Sequence, residues 1–476
     1  MRVSAAVVLG IPGIPGIPGI PGGWAMTEAT TVETGATGSA SLTPEPVLPS
    51  DPLAAFASAL SALPISHHRR QALMLAQLGM LIAVACMPVS IAGMNIGLTT
   101  ALVGALVMRA PLHRCAGAWC YLAYLVWLLF WCAVTGGSPK GMVGPLVIPL
   151  GLVLGQVKFH PGVPEAQRLR YWALRALVVT AVASGLLALA QFTIGKGGAS
   201  PWRIDPDGLR FYQSSGFFSI QLTQGVVAGM VCLLIGGMAT AVEVWWRRSG
   251  QIAAAVAVAI CGARAAMLGF ALGFAGAIAA RGRWHLLIAV GAGSGLLVIL
   301  LGMIALTQPQ RFADLLAMRD GRWPIWRTSA AVIAAHPLLG TGSGSGFREA
   351  YREAYPQVAS DVPPEFADGA PHAHNTELAL AAEYGIPFAV LWFALLLGAV
   401  AGLRRAPPEI WRAGLGMAIV AVVFGQFEKL DGESSRVLWT GLGILLALRH
   451  SGEGGGARPA EHAPVAANDG SPALGA

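Results

Sequence analysis

From His67 onward the chain alternates long apolar runs with short polar breaks, and the runs have the length needed to cross a hydrocarbon layer roughly 30 Å thick. Spans are expected at Gln71–Ala92, Met94–Met108, Ala118–Val134, Met142–Val157, Trp172–Ile194 and Ile220–Trp245. The second half supplies Gln251–Gly262, Ala265–Ala280, His285–Leu306, Ile386–Leu403, Trp411–Phe427 and Val437–Leu448. The pattern predicts an all-α, polytopic integral membrane protein of about twelve transmembrane helices, with no internal repeat at a fixed period.

Both ends of the chain depart from this pattern. Ile11–Gly22 is an Ile-Pro-Gly repeat that runs into a Thr-, Ala-, Ser- and Pro-rich stretch ending near Ser66. Proline at every third position removes backbone donors and interrupts any helix, and the segment lacks the long apolar core and cleavage site of a secretory signal. Residues 1–70 are expected to be a disordered low-complexity tail, 71–450 the transmembrane unit, and 451–476 a second disordered tail.

Composition agrees with lipid as the solvent: 55% of residues are hydrophobic and only 12% charged, too few polar groups to cover a water-soluble protein of this size. The net charge of +7 is spread singly or in pairs between apolar runs, so no basic stripe for nucleic acid exists. Its placement reports topology instead. With the N-terminus inside, cytoplasmic breaks carry Arg69, Arg70, Arg109, Arg114, Lys158, Arg168, Arg170, Arg247, Arg248, Arg281, Arg283, Arg404, Arg405 and Arg412. An even number of spans then puts the one long polar insert, Thr307–Gly385, outside the cytoplasm. The six cysteines lie in or beside apolar segments without a CxxC pair or a Cys/His cluster, and are expected as free buried thiols.

A polar insert of this length is usually functional. It holds Asp320-Gly321-Arg322-Trp323-Pro324-Ile325-Trp326-Arg327, then His336-Pro337-Leu338-Leu339-Gly340-Thr341-Gly342, then His372-Ala373-His374-Asn375-Thr376-Glu377-Leu378 and Glu383-Tyr384-Gly385-Ile386-Pro387. Asn375 is a good N-cap and Gly385 with Pro387 a good stop, which predicts a short helix over 376–384 ahead of the next span. His374 sits at the positive end of that helix, where free N–H groups attract anions and the neutral, proton-accepting imidazole is favoured. Such a group suits a general base for hydroxyl attack on a phosphorylated donor; the plainer alternative is a histidine that hydrogen-bonds its own loop.

Arginines offer the complementary charge. Arg264 stands in an apolar neighbourhood, which is costly without a partner or a polar cavity. Arg210, Arg322 and Arg327 fall on the same side of the membrane as His374 in this topology, and two or three guanidinium groups converging there would hold a pyrophosphate. Against this, Arg327 also reads as a plain surface residue and Arg322 as a partner of Asp320 or Asp314. The alternating glycines of Gly340–Gly346 follow no strand and precede no Walker lysine, and neither Ser343 nor Ser345 satisfies G-x-S-x-G.

The order of Arg264 after a span, Gly321-Arg322-Trp323 with Trp326, the His336–Gly342 block, and His374-Asn375 with Leu378, Glu383 and Gly385 resembles the O-antigen ligase and polymerase (Wzy_C) superfamily. Arg210–Gly229 is similar to that family's segment leading into a central span, although Gly262-Ala263-Arg264 lacks the serine more often found before the arginine, and Gln221 replaces another polar residue. The resemblance implies a metal-independent glycosyltransferase of the bacterial inner membrane, with no cofactor and its active site facing the periplasm. The donor would be an undecaprenyl-pyrophosphate-linked glycan, and the acceptor lipid A-core or a growing glycan. It further implies that His374 activates the acceptor hydroxyl and that Arg210, Arg264 and Arg322 hold the donor pyrophosphate. Asn375, Glu377, Glu383, Arg327 and His336 would act in support, Glu377 and Glu383 by orienting His374 or touching sugar; Glu383 reads equally as a residue of the helix-to-span turn. Beside these substrates, membrane lipids are expected as partners and nucleic acid is not. A ligase and a Wzy-type polymerase share this donor chemistry, and a transporter is the alternative of another class, though the halves show no matching broken spans.

Overall fold

The computed structural model describes residues 67–108, 117–135, 149–156, 164–194, 200–204, 210–238, 243–285, 322–358 and 372–449, less a few single positions within them, together with scattered residues elsewhere. Most of the expected span His285–Leu306, the first part of Met142–Val157 and nearly all of both expected tails lie outside the described residues.

The first elements are a helical pair, α1 (His67–Cys86) and α2 (Ile91–Val107). Pro88 breaks the apolar run, and Ser90 restarts it as an N-cap, its Oγ accepting from the Gly93 N–H at 3.1 Å. The expected boundary near Gly93 is therefore a few residues late. Small residues bring the two backbones together: a Cβ on Gly79 would stand 2.6 Å from the Gly97 carbonyl oxygen, and one on Gly104 2.6 Å from that of Ala72.

Next come α3 (Ala118–Thr135), the short α4 (Leu150–Gly155), the long α5 (Pro164–Ile194) and an antiparallel hairpin of β1 (Ser200–Ile204) and β2 (Arg210–Gln213). The hairpin is a small β element in a chain that is otherwise mostly helical among the described residues, as the all-α expectation has it. Its residues, Ser-Pro-Trp-Arg-Ile and Arg-Phe-Tyr-Gln, are rich in the aromatic and branched side chains that favour a strand, in a stretch too short and polar to cross a membrane.

The centre of the bundle is α6 (Gln221–Gly237), of which nearly every residue from Thr223 to Gly237 is buried. It packs against α7 (Val244–Ile260), α8 (Arg264–Ala279), α13 (Pro408–Gly425) and α14 (Gly432–Arg449), as an apolar helix without a polar face must. The expected span Ile220–Trp245 is thus two elements. The chain leaves α6 at Gly237 and Trp245 belongs to α7, so Arg247 and Arg248 lie within the first turns of α7 rather than in a break. Arg175 of α5 pairs with Glu243, just ahead of α7, at 2.7 Å.

The insert is folded where it is described. It contains α9 (Arg322–Ala335), α10 (Ser345–Val358) and α11 (Thr376–Tyr384), and leads directly into α12 (Ile386–Leu403). Ile325, Val332, Phe347, Tyr351, Tyr355, Ala373, Ala379 and Ala382 form a small apolar core of its own.

Among the described residues four helical segments are long and apolar enough to cross a membrane: α3, Tyr171–Ile194 of α5, α12 and α13. Arg70–Cys86, α2, α6 and α8 are shorter and apolar. Contacts fix relative directions. Gly269 of α8 packs against Val420 and Phe424 of α13, Gly273 against Gly416, and Gly237 at the end of α6 against Ala413. The start of α8, the end of α13 and the start of α14 consequently share one end of the bundle with the insert, while Arg281, Arg404, Arg405 and Arg412 lie at the other.

Replacing Gly97 with Val is expected to separate α1 from α2 at a cost of roughly 1–3 kcal/mol, read as a lower thermal unfolding midpoint in detergent, whereas Gly398→Val, at a glycine facing open space, is expected to be near neutral.

Candidate functional site

The expected helix over 376–384 is present as α11. Asn375 Oδ1 accepts from the Leu378 N–H at 2.9 Å, and Gly385 ends the helix at φ 89°. Immediately before the cap, His374 has φ 49°, the one positive φ of a non-glycine residue among the described residues. This left-handed step turns the chain sharply, and the His372 and His374 rings lie side by side, tilted by 40° with centroids 4.4 Å apart.

Both rings converge on Glu428, in the turn after α13. Glu428 Oε1 lies 2.8 Å from His372 Nε2 and 2.9 Å from His374 Nδ1. An ionised carboxylate only accepts, so the imidazoles donate, and donation from Nδ1 leaves the lone pair of a neutral His374 at Nε2. Burial raises the Glu428 pKa, but hydrogen bonds from the two histidines and their positive charge outweigh it and hold the carboxyl down at about 2. Its side chain is only 12% exposed against 29% for His374, so the acceptor is shielded while the imidazole is reachable.

The Glu428 turn is stitched to α11 by backbone and side-chain bonds. Thr376 Oγ1 donates to the Glu428 carbonyl at 3.1 Å and accepts from the Leu430 N–H at 2.8 Å. Asn375 Nδ2 donates to the Gln426 carbonyl at 3.3 Å, and Gln426 Nε2 donates to Glu377 Oε1 at 2.6 Å. Burial pushes the Glu377 carboxyl up, partly offset by the helix backbone and Gln426. Glu383, buried at the other end of α11, pairs with Lys429 at 2.5 Å.

The His336–Gly342 block has a different task. The Thr341 and Gly342 N–H groups donate to the Ala382 and Glu383 carbonyls, each at 2.9 Å, and Ile386 N–H to the Pro337 carbonyl at 2.9 Å. Trp131 of α3 donates to the Leu339 carbonyl at 2.6 Å, and Trp127 to that of Tyr384 at 3.3 Å. Gly340 has φ 63°, and a Cβ there would stand 2.6 Å from the Tyr384 nitrogen. The block is a backbone clamp on the end of α11. The His336 side chain is exposed and makes no hydrogen bond among the described residues, so the structure does not bring it into the His374 cluster.

The arginines divide. Arg264 opens α8 and is exposed, after Gly262 at φ 67°, where a Cβ would touch the Gln213 side chain of β2. Arg210 starts that strand opposite Ile204, so the Arg210 backbone and Arg264 occupy neighbouring elements. Because Gly269 packs on Phe424, Arg264 and the Glu428 turn both project beyond that level, Arg264 by about 7 Å of helix. Arg322 is half-buried at the start of α9, and Arg327 exposed one turn later. No direct contact between these arginines and His374 is described.

Sequence reasoning gives no role in the site to His372, Glu428, Gln426 or Lys429, although His372 lies in the stretch that carries His374. Glu428 is 54 residues beyond His374, and no spacing rule links a carboxylate after one span to a histidine before another. Three polar residues closing an apolar run, Gln426, Glu428 and Lys429, are the signal available. The structure also assembles a donor set unforeseen in the metal-free expectation. One atom each of His372, His374 and Glu428 lies within 4.8 Å of the others, a nitrogen-and-carboxylate set of the type that holds zinc or iron. In the short hydrogen bonds just described the facing ring nitrogens carry protons, which they would have to lose before they could hold a metal.

Residues 249–393 match the Wzy_C family model, described as O-Antigen ligase. Over that segment this bears out the resemblance, read from the motifs, to O-antigen ligase- and polymerase-like membrane enzymes. The matched segment runs from α7 into α12 and includes Arg264, Arg322, Arg327, His336 and His374, whereas Arg210 and Glu428 lie outside it. A comparison with curated proteins finds no match.

Because the folded-state pKa of Glu428 lies below the ordinary 4.5, its stabilising contribution is full above that value and is lost as pH falls through about 2. The difference in thermal midpoint between wild type and Glu428→Gln is accordingly expected to shrink as pH is lowered below about 4; a difference that instead grows below that pH would contradict the assigned ionisation.

Proposed function

We propose that the protein transfers a glycan from a polyprenyl pyrophosphate, undecaprenyl pyrophosphate in a bacterial inner membrane, to an acceptor hydroxyl at the periplasmic face. The observation that carries this reading is the fixed orientation of His374, whose Nδ1 is tied to a shielded carboxylate while Nε2 stays available.

In the proposed reaction His374 Nε2 takes the proton of the acceptor hydroxyl as its oxygen bonds to the anomeric carbon. The bond from that carbon to the pyrophosphate oxygen breaks, and polyprenyl pyrophosphate leaves with the electron pair. Glu428 stabilises the imidazolium that forms and acts as a positioning residue. Arg210, Arg264 and Arg322 are assigned to the pyrophosphate, where fixed positive charge stabilises the leaving group without a covalent step. Glu377, through Gln426 and Asn375, keeps the Glu428 turn against α11, and Arg327 and His336 are left to the surface of the insert. The reaction needs neither cofactor nor metal in this scheme.

The preferred acceptor is lipid A-core, which makes the protein a ligase; extension of a growing glycan by a polymerase uses the same donor chemistry. In a complemented deletion strain, His374→Ala is expected to lower transfer by about a hundred- to ten-thousandfold with the protein still in the membrane, and Glu428→Gln by a smaller factor. Gel analysis of lipopolysaccharide separates the two acceptors: unmodified core with long chains retained on carrier identifies a ligase, single-repeat products a polymerase. Wild-type glycan in His374→Ala would refute the assignment of the base.

Metal involvement is tested separately. Purified protein dialysed against a chelator is expected to keep full transfer activity; loss that zinc restores would move His372, His374 and Glu428 from proton transfer to metal ligation.

A further inference from the structure

At the end of the bundle away from the insert, α6, α7, α8 and α13 enclose a cavity of about 220 Å³. Its rim carries Arg247 from α7, Arg281 following α8 and Arg412 from α13, with Glu409 as the one carboxylate. Its wall toward the bundle is apolar, with Phe274 and Ile278 of α8. Glycine at 236 helps to leave the space open, since a Cβ there would meet the Gln251 amide at 2.9 Å.

Excess positive charge at this end follows from the topology alone, but flanking charge requires only that arginines lie near the helix ends. Here three helices direct three guanidinium groups to one amphipathic hollow. Neither Arg281 nor Arg412 takes part in an ion pair among the described residues, and Arg412 Nε is buried without a hydrogen-bond partner. A buried guanidinium N–H left unsatisfied is costly, and an oxygen-rich anion in the cavity would satisfy it. The depth fits a membrane surface. Trp245 and Trp284, 63% and 79% exposed at this same end, have the amphipathic rings that settle at headgroup level.

We propose that this cavity binds a phosphate group presented at the membrane surface, its apolar wall favouring the headgroup of an anionic lipid over a free phosphate. The site is independent of the glycan-transfer reading, because it lies at the opposite end of the bundle.

Full-length protein reconstituted in phosphatidylcholine with a minor fraction of phosphatidylglycerol would be extracted and its retained lipid counted by native mass spectrometry. The wild type is expected to retain phosphatidylglycerol selectively. Arg281→Gln with Arg412→Gln should reduce retention at least about fivefold, and Arg281→Gln alone, at an exposed position, should reduce it measurably without risk to folding. Arg404→Gln with Arg405→Gln, which removes the same charge from exposed residues at the same end but outside the cavity, should leave it unchanged. Displacement of the lipid by millimolar inorganic phosphate would uphold the phosphate site and reassign its source to solution. Equal retention in the wild type and both cavity variants, or equal loss in the Arg404/Arg405 variant, would overturn the proposal.

Discussion

One carboxylate oxygen receiving two imidazole N–H groups organises the end of the bundle that carries the insert. Glu428 ties the turn after α13 to the residues ahead of α11, and so joins two apolar helices through a polar contact at their ends. The contact is shielded enough to be strong and open enough on the His374 side to be used. Losing the carboxylate would leave two adjacent imidazoles with no common acceptor and the left-handed His374 backbone without its compensating bond.

The rest of the bundle permits that contact by letting backbones approach. Gly269 and Gly273 set α8 against α13, and Gly225 receives Cys261 and Ala266, so the starts of α8 and α6 and the end of α13 are brought into register. In a membrane, where burial against lipid offers little hydrophobic gain, such small-residue contacts are the main source of helix association. Position at the site is therefore inherited from steric fit several turns away.

Local rules revealed the parts of this architecture that are local. The cap at Asn375, the stop at Gly385 and the run Ile386–Leu403 could be read because capping, turn conformation and hydropathy each act over a few residues. The candidate base was found the same way. Glu428 was not, because its meaning depends on tertiary contact, and neither was the division of Ile220–Trp245, where apolar composition continues across a change of direction. The hairpin at 200–213 and the helices α9 and α10 were concealed by their mixed polarity, which reads as loop until a small separate core is recognised. His336 shows the converse: a residue type associated with chemistry belongs here to a segment whose backbone does the holding.

That holding through main-chain groups has a consequence for how such proteins can diversify. Carbonyls and amides are common to nearly all residue types, so the exposed faces of α9 and α10 are free to change without loosening the grip on α11. On the proposed reading, that outer surface can change while the proton-transfer apparatus beneath it stays in register.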